Sequence, residues 1–264
     1  TEEVRAQQAL EEAVQAANVA NMAKSEFLSD MSHDIRTPMN AIIGLINLLE
    51  KDADNKERFH KHLRDLKLSS EHLLELINNV LDMSRIESGK TELDLEEFNI
   101  RTLLEEVNSV YRTQAALKGL HVEEEIAVPD KRYEGDPVRV KKVLLNLLSN
   151  AVKYTEKGNV TFSAKGIRKE DGFYLHFAVE DTGIGIRQED MDKLFGSFER
   201  VELSKNRYIQ GTGLGLNISK QLVESMGGTI DVKSEYGLGS CFTVMIPQQI
   251  VDDTPMNEKT ENVP

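Results

Sequence analysis

The chain has 264 residues, 39% of them hydrophobic, which is enough for a sizeable core and more than one small domain usually holds; two domains are expected. Its 45 acidic against 32 basic side chains give a formal net charge of -13, which argues against a polyanion-binding surface, so no nucleic acid is expected as a partner. The one cysteine, Cys241, cannot form an internal disulfide, and no apolar run approaches the about 18 residues that span a bilayer, so a soluble chain of the cytoplasm is expected.

The sequence has no initiator methionine and starts inside a helical pattern, as a piece of a longer protein would. Residues 1–24 read as a coiled-coil helix with a small-residue seam at Ala6, Leu10, Ala13, Ala17 and Ala20. The stripe resumes at Phe27 and Met31 and continues through Ile35, Pro38, Ile42, Leu45 and Leu49. Two successive steps of four around Met31, followed by Pro38, predict a disturbed, bent helix there. After a polar turn near residues 52–55, a second stripe runs through Phe59, Leu63, Leu66, Leu73, Ile77 and Val80. Residues 25–87 therefore form a helical hairpin, which buries too little alone and is expected to pair with a second copy as a dimeric four-helix bundle.

Residues 88–95 read as a linker. Beyond it the period changes to that of a mixed α+β layer over 96–250: helices at 101–117 and 137–154, strands at 120–128, 159–166 and 173–180, a short helix near 188–195, a helix ending near Met226, and strands at 228–234 and 240–247. Residues 251–264 are polar and proline-containing, a tail or linker.

Three stretches of the second region carry chemistry. Asn146, Asn150, Lys153 and Tyr154 stand at helical offsets of zero, four, seven and eight and share one face. Two amides, an ammonium and a phenol suit a metal ion and polyphosphate beside a flat ring, and they equally suit a solvated polar face. Asp181-Thr182-Gly183-Ile184-Gly185 follows a strand pattern; its glycines allow close backbone approach and its carboxylate can accept from an exocyclic amine, although strand-end glycines also make plain turns. Gly211-Thr212-Gly213-Leu214-Gly215 opens a helix, whose first amides and dipole favour phosphate.

In order and spacing these stretches resemble the ATP-binding domain of sensor histidine kinases. Residues 146–154 look like its N box, 181–186 its first glycine box, 195–200 its F box and 211–216 its second glycine box, while Phe27 to Pro38, with Met31-Ser32-His33-Asp34-Ile35-Arg36-Thr37-Pro38 at its centre, is similar to the phosphoacceptor H box. The resemblance covers residues 25–248. It implies an α/β sandwich of the GHKL (Bergerat) type that binds ATP with Mg2+. Asn150 would hold the metal with Asn146 in support, Asp181 would read the adenine amine, and Lys153, Tyr154 and Arg200 would contact the nucleotide. Residues 197–212 would be a lid, and Gly183, Gly185, Gly211, Thr212, Gly213, Leu214 and Gly215 would line the site.

The same fold serves ATPases that carry a glutamate four residues before the metal asparagine. Here that position is Asn146, and an amide cannot serve as a general base for water. His33 lies two residues from both Met31 and Ile35, which turns it about 200° from the buried stripe and into water. Asp34 stands beside it and Thr37 one turn on. The resemblance makes His33 the phosphate acceptor, attacking through Nε2, with Asp34 as base. It further implies transfer to an aspartate of a response-regulator receiver domain, separate or fused, and a reverse phosphatase activity assisted by Thr37. A stand-alone ATPase and an ATP-binding scaffold remain the competing readings. The family resemblance also places the chain as a homodimer in the cytoplasm, or as the cytoplasmic part of a sensor whose membrane segments lie outside it.

Overall fold

The computed structural model describes residues 2–87, 92–191, 193–196 and 215–252, and these divide into two compact units, one through Ser84 and one from Arg85.

The first unit is a hairpin of α1 (Glu2–Lys51) and α2 (Lys56–Glu87). The stripe expected on α1 is the one that turns inward: Met31 and Pro38 are buried, and Ile35, Ile42, Leu45 and Leu49 half-buried. The expected disturbance does not break the helix. α1 runs without interruption from the seam of residues 1–24 through Pro38, since the proline deletes only its own N–H while its buried ring is held by the hairpin's packing. On α2 the inward stripe differs from the expected one. Leu76 and Met83 are its most buried residues, with His62, Leu66, Ser69, Leu73 and Val80 half-buried, whereas Leu63 and Ile77 turn outward. At the connecting turn Asp52 accepts a hydrogen bond from the His62 ring, 3.2 Å away.

The second unit is a seven-stranded sheet covered on one face by helices. In chain order it comprises β1 (Glu96–Asn99), α3 (Ile100–Lys118), β2 (His121–Ala127), β3 (Arg132–Gly135), α4 (Pro137–Tyr154), β4 (Asn159–Lys169), β5 (Gly172–Asp181), the single turn α5 (Gln188–Met191), α6 (Gly215–Ser225), β6 (Thr229–Glu235) and β7 (Gly239–Asp252). The strand order is β1-β3-β7-β5-β4-β2, with β6 also paired to β7; only β2 and β4 run parallel. The short strands β1 and β3 were not foreseen. They form because β7 continues past Pro247 and offers its far end to β3.

Local chemistry sets the helix ends. Asn99 caps α3 by accepting from the Arg101 and Thr102 amides, and Asp136 caps α4 by accepting from Arg139 N at 3.0 Å, with Pro137 in the first turn. Asp136 also accepts from Asp94 N and pairs with Arg139 at 2.8 Å, while Arg139 donates to Glu92 O. Residues 92–95, expected as linker, are thereby tied to the start of α4. The core lies between helices and sheet: Leu104, Val107 and Tyr111 of α3 and Leu144, Leu147 and Leu148 of α4 close over Phe162, Leu175, Phe177 and Val244.

One partly buried polar knot joins α3 to the edge strand β2. Glu124 accepts from Tyr111 Oη at 2.5 Å, Arg112 Nε at 2.6 Å and Asn108 Nδ2 at 2.9 Å. Burial pushes its carboxyl up, but the Arg112 and Tyr111 hydrogen bonds outweigh that and hold it below its ordinary value of 4.5. A depressed carboxyl adds stability above its unfolded-state value and loses it as pH falls through the folded one. Glu124→Gln is therefore expected to lower the urea midpoint at about pH 7, with the gap to wild type narrowing as pH falls below the ordinary 4.5 and the carboxyl protonates.

Candidate functional site

α4 has two faces. Val140, Val143, Leu144, Leu147, Leu148, Ala151 and Val152 are buried, and Asn146, Asn150, Lys153 and Tyr154 stand on the other side, each half-buried. Lys153 Nζ lies 5.1 Å from the centre of the Tyr154 ring, and burial pushes the Tyr154 phenol up from its ordinary value. Asn146 donates through Nδ2 to Ser219 Oγ of α6 at 2.8 Å.

α6 packs on α4 with its first residue, Gly215, directly against that amide; a Cβ at Gly215 would overlap Asn146 Oδ1. The N-terminal end of α6, the positive end of its dipole, thus comes to the polar face of α4. Asn217, almost fully buried, donates to Phe195 O at 2.9 Å, and Lys220 lies over the Phe195 ring. These contacts fix where the chain leaves the sheet side near the F box.

At the end of β5, Asp181 is 6% exposed. Burial raises its carboxyl above the ordinary 3.8, opposed by backbone hydrogen bonds from Gly183 and Ser240. Gly183 N donates to Asp181 Oδ1 at 2.9 Å, and Ile184 N donates to Tyr154 O at 3.3 Å. A side chain at Gly183 would meet Tyr154 O, so this glycine lets the loop lie against the end of α4. The loop is braced from behind by the β6–β7 hairpin: Ser234 Oγ accepts from Ile186 N at 2.8 Å, Ile184 O accepts from Gly237 N at 2.8 Å, and Arg187 stacks over Tyr236 at 4.8 Å. Gly185, at φ +63, fits under the Glu235 carbonyl.

Tyr154 O and Asn146 thus connect three of the sequence's candidates, namely the α4 face, the Asp181 loop and Gly215. Arg200, Gly211, Thr212, Gly213 and Leu214, and the expected lid of residues 197–212, lie outside the described residues. Asn217, Ser219, Ser234 and Ser240 were not singled out in the sequence. Asn217 and Ser219 flank Ile218 and carry no signal beyond that of polar helix positions; only the folded structure shows that both are buried. The two strand serines had none, because each reads as an ordinary strand position.

The donor set fits a nucleotide with a divalent ion. The side-chain oxygens of Asn146 and Asn150 are of the hard type that a divalent ion shares with phosphate oxygens. The buried Asp181 supplies an acceptor, and the Gly215 cradle brings a helix N-terminus to the amides.

In the first unit His33 is 78% exposed, and its Nδ1 lies 3.6 Å from Asp34 Oδ1. Thr37, exposed one turn on, donates to His33 O at 3.1 Å. The expected orientation of His33, away from the buried stripe, is the observed one.

Residues 23–89 match the His Kinase A (phospho-acceptor) domain, and residues 135–250 match the family of histidine kinase-, DNA gyrase B- and HSP90-like ATPases. The chain belongs to the sensor histidine kinases. The sensory/regulatory protein RpfC of Xanthomonas campestris is 40% identical over 263 residues, 97% of this chain and 35% of that protein. The circadian input-output histidine kinase CikA of Synechococcus elongatus is 38% identical over 262 residues, 97% of this chain and 34% of that protein. The chain spans about a third of the length of these curated relatives. Among solved structures, full-length ShkA in complex with AMPPNP is 31% identical with a TM-score of 0.64, covering 88% of this chain and 47% of that one. The histidine kinase ThkA in complex with the response regulator protein TrrA is 25% identical with a TM-score of 0.60, covering 85% of this chain and 61% of that one. No helix among the kinase's described residues is long and apolar enough to cross a membrane.

The hairpin behind the Asp181 loop separates two glycines by mechanism. Gly237, at φ +89, has open space where a Cβ would go, whereas at Gly239, φ +124, it would overlap the Asp181 carbonyl. Gly237→Ala is expected to cost about 1 kcal/mol of backbone strain. Gly239→Ala must also push β7 away from Asp181, and is expected to show a larger fall in the thermal midpoint in the same melting experiment.

Proposed function

We propose that this histidine kinase chain is an ATP-dependent autokinase that phosphorylates His33 and passes the phosphoryl group to an aspartate of a response-regulator receiver domain. The observation that carries the reading is a pairing of features across the two units. One holds an exposed histidine beside a carboxylate. The other has the face of a nucleotide site with the amide of Asn146, bonded to Ser219, where water-activating ATPases have a base.

In this reading Nε2 of His33 attacks the terminal phosphorus of ATP. The new N–P bond forms as the bridging P–O bond breaks and ADP leaves. Asp34, whose Oδ1 lies 3.6 Å from Nδ1, accepts the Nδ1 proton as positive charge grows on the ring. Asn150, with Asn146 in support, would hold a Mg2+ ion, which would supply neutralisation of the phosphate charge. Asp181 accepts from the adenine amine, Gly183 and Gly185 let the backbone approach the base, and Lys153, Tyr154 and Arg200 contact the nucleotide. The glycine-rich stretch from Gly211 through Thr212, Gly213 and Leu214 to Gly215 offers backbone donors to the phosphates at the start of α6.

A homodimer accompanies the reading. Met39, Ile43 and Ile46 on α1 and Leu63, Leu74, Ile77 and Leu81 on α2 form an exposed apolar stripe beside the hairpin's inner one, which a second hairpin would cover as a four-helix bundle. ThkA's complex with a regulator supports the receiver as partner, either separate or fused. A kinase core working in the cytoplasm, anchored if at all through segments outside the chain, is the corresponding location. The domain boundaries proposed are 1–24 for the signalling helix, 25–87 for dimerisation and phosphotransfer, 88–95 for the linker, 96–250 for ATP binding and 251–264 for the tail. Dephosphorylation of the regulator, with Thr37 positioning water, is the finer part of the reading.

Labelled ATP is expected to give acid-labile, base-stable phosphate on the wild-type protein and none on His33→Gln; label on that variant refutes the acceptor. In the same preparation Thr37→Ala is expected to slow receiver dephosphorylation, and an unchanged rate removes its role.

Asp181 gives a second test in which function and stability move apart. A carboxyl whose folded value is raised contributes its stability at low pH and loses it as pH rises through that value, so the ionised form is a burden at neutral pH. Asp181→Asn is expected to melt no lower than wild type without nucleotide, yet to bind ADP at least about tenfold more weakly by calorimetric titration.

A further inference from the structure

Lys118 is the last residue of α3, and Gly119, in the left-handed conformation at φ +69, stops that helix there. The side chain reaches to the end of α4, where Nζ donates to Val152 O at 2.7 Å, Lys153 O at 2.9 Å and Thr155 O at 3.4 Å. The last carbonyls of a helix have no partner within it and carry the negative end of its dipole, so an ammonium shared among three of them is matched in both charge and donor number. Thr155 is fully buried, and its hydroxyl donates back to Ala151 O at 2.8 Å, so the chain leaves α4 along a single path.

The place where this happens matters more than the cap itself. Lys153 and Tyr154 are the last two residues of α4, and the carbonyl between the capped ones, Tyr154 O, accepts from Ile184 N and packs against Gly183. The same ammonium therefore holds the piece of backbone on which the Asp181 loop rests. Gly183 N in turn bonds the Asp181 carboxylate.

We infer that Lys118 is a positioning residue of the nucleotide site: by gathering the carbonyls at the end of α4 it sets the register between the Lys153–Tyr154 end and the loop that presents Asp181. The inference rests on the reading of this face as an ATP site. Lys118 does not touch the ligand. Its loss lets the end of α4 fray and the loop shift, which weakens binding and blurs recognition of the base. A cap that served stability alone would leave recognition of the base intact.

The test compares ADP with inosine diphosphate, which lacks the exocyclic amine, by titration of the full chain in the presence of Mg2+. Wild type is expected to prefer ADP. Lys118→Met, which keeps the stem and removes the donors, is expected to weaken ADP about tenfold and to shrink the preference for ADP over inosine diphosphate. Lys118→Arg, still a cation with several donors, is expected to restore most of both. A Lys118→Met protein that keeps its preference, with or without a lower melting temperature, overturns the inference and leaves the ATP reading standing. A wild type that binds neither nucleotide, or binds both alike, overturns that reading and this inference with it. Should Lys118→Met fail to fold, Lys118→Gln, which keeps an amide donor without the charge, carries the same expectation and the same refutation.

Discussion

The burial of one face of α4 against the sheet is the contact on which the second unit depends. Seven apolar residues from Val140 to Val152 lie inside, over Phe162, Phe177 and their neighbours, and at about 25 cal/mol per Å2 that burial outweighs any preference of the polar face. Once it is fixed, the period of the helix leaves Asn146, Asn150, Lys153 and Tyr154 no freedom of direction. α6 then settles on α4 because Gly215 has no side chain to hold it away from Asn146, and the Asp181 loop settles on the end of α4 because Gly183 has none to hold it away from Tyr154. Two missing Cβ atoms thus decide how closely a helix start approaches the Asn146 amide and a strand end the Tyr154 carbonyl.

The first unit solves a different problem with the same means. Its two helices bury one stripe against each other and leave a second apolar stripe in water beside it, while His33 points to neither. In the proposed reading His33 receives a phosphate, and such a side chain cannot share a face with packing residues, because burial would desolvate that charged group. Pro38 shows how little a single missing hydrogen bond weighs against a packed helix: its ring is buried and α1 continues past it.

Much of this was legible in advance for identifiable reasons. Long amphipathic helices declare their period over many residues, so α1 to α4 and the inward stripe of α1 could be read, as could the orientation of His33. β1 and β3 could not. Each is four residues long, Glu-Glu-Phe-Asn and Arg-Tyr-Glu-Gly, too short to show alternation; β3 exists because the far end of β7 supplies its partner, and β1 because β3 then does. The inward stripe of α2 was misjudged because its outward apolar residues, Leu63 and Ile77, keep helical spacing as well as the inward ones do. Period alone cannot choose between two neighbouring stripes when both are apolar.

The sequence by itself determined the faces that the candidate residues occupy, because helical and strand periods act over a few residues and need no distant partner. His33 opposite the packed stripe, the polar face of α4 and the amide at position 146 all follow from local spacing. Only the tertiary structure decided what those groups touch. Lys118 reads as a common basic residue at a helix end, and Ser219 and Ser234 as unremarked hydroxyls, until folding brings residues 34, 73 and 48 positions away in sequence within hydrogen-bond reach. Hydrogen bonds are short-ranged and directional, so they are set by the packed backbone, whereas the pattern that packs the backbone is written along the chain.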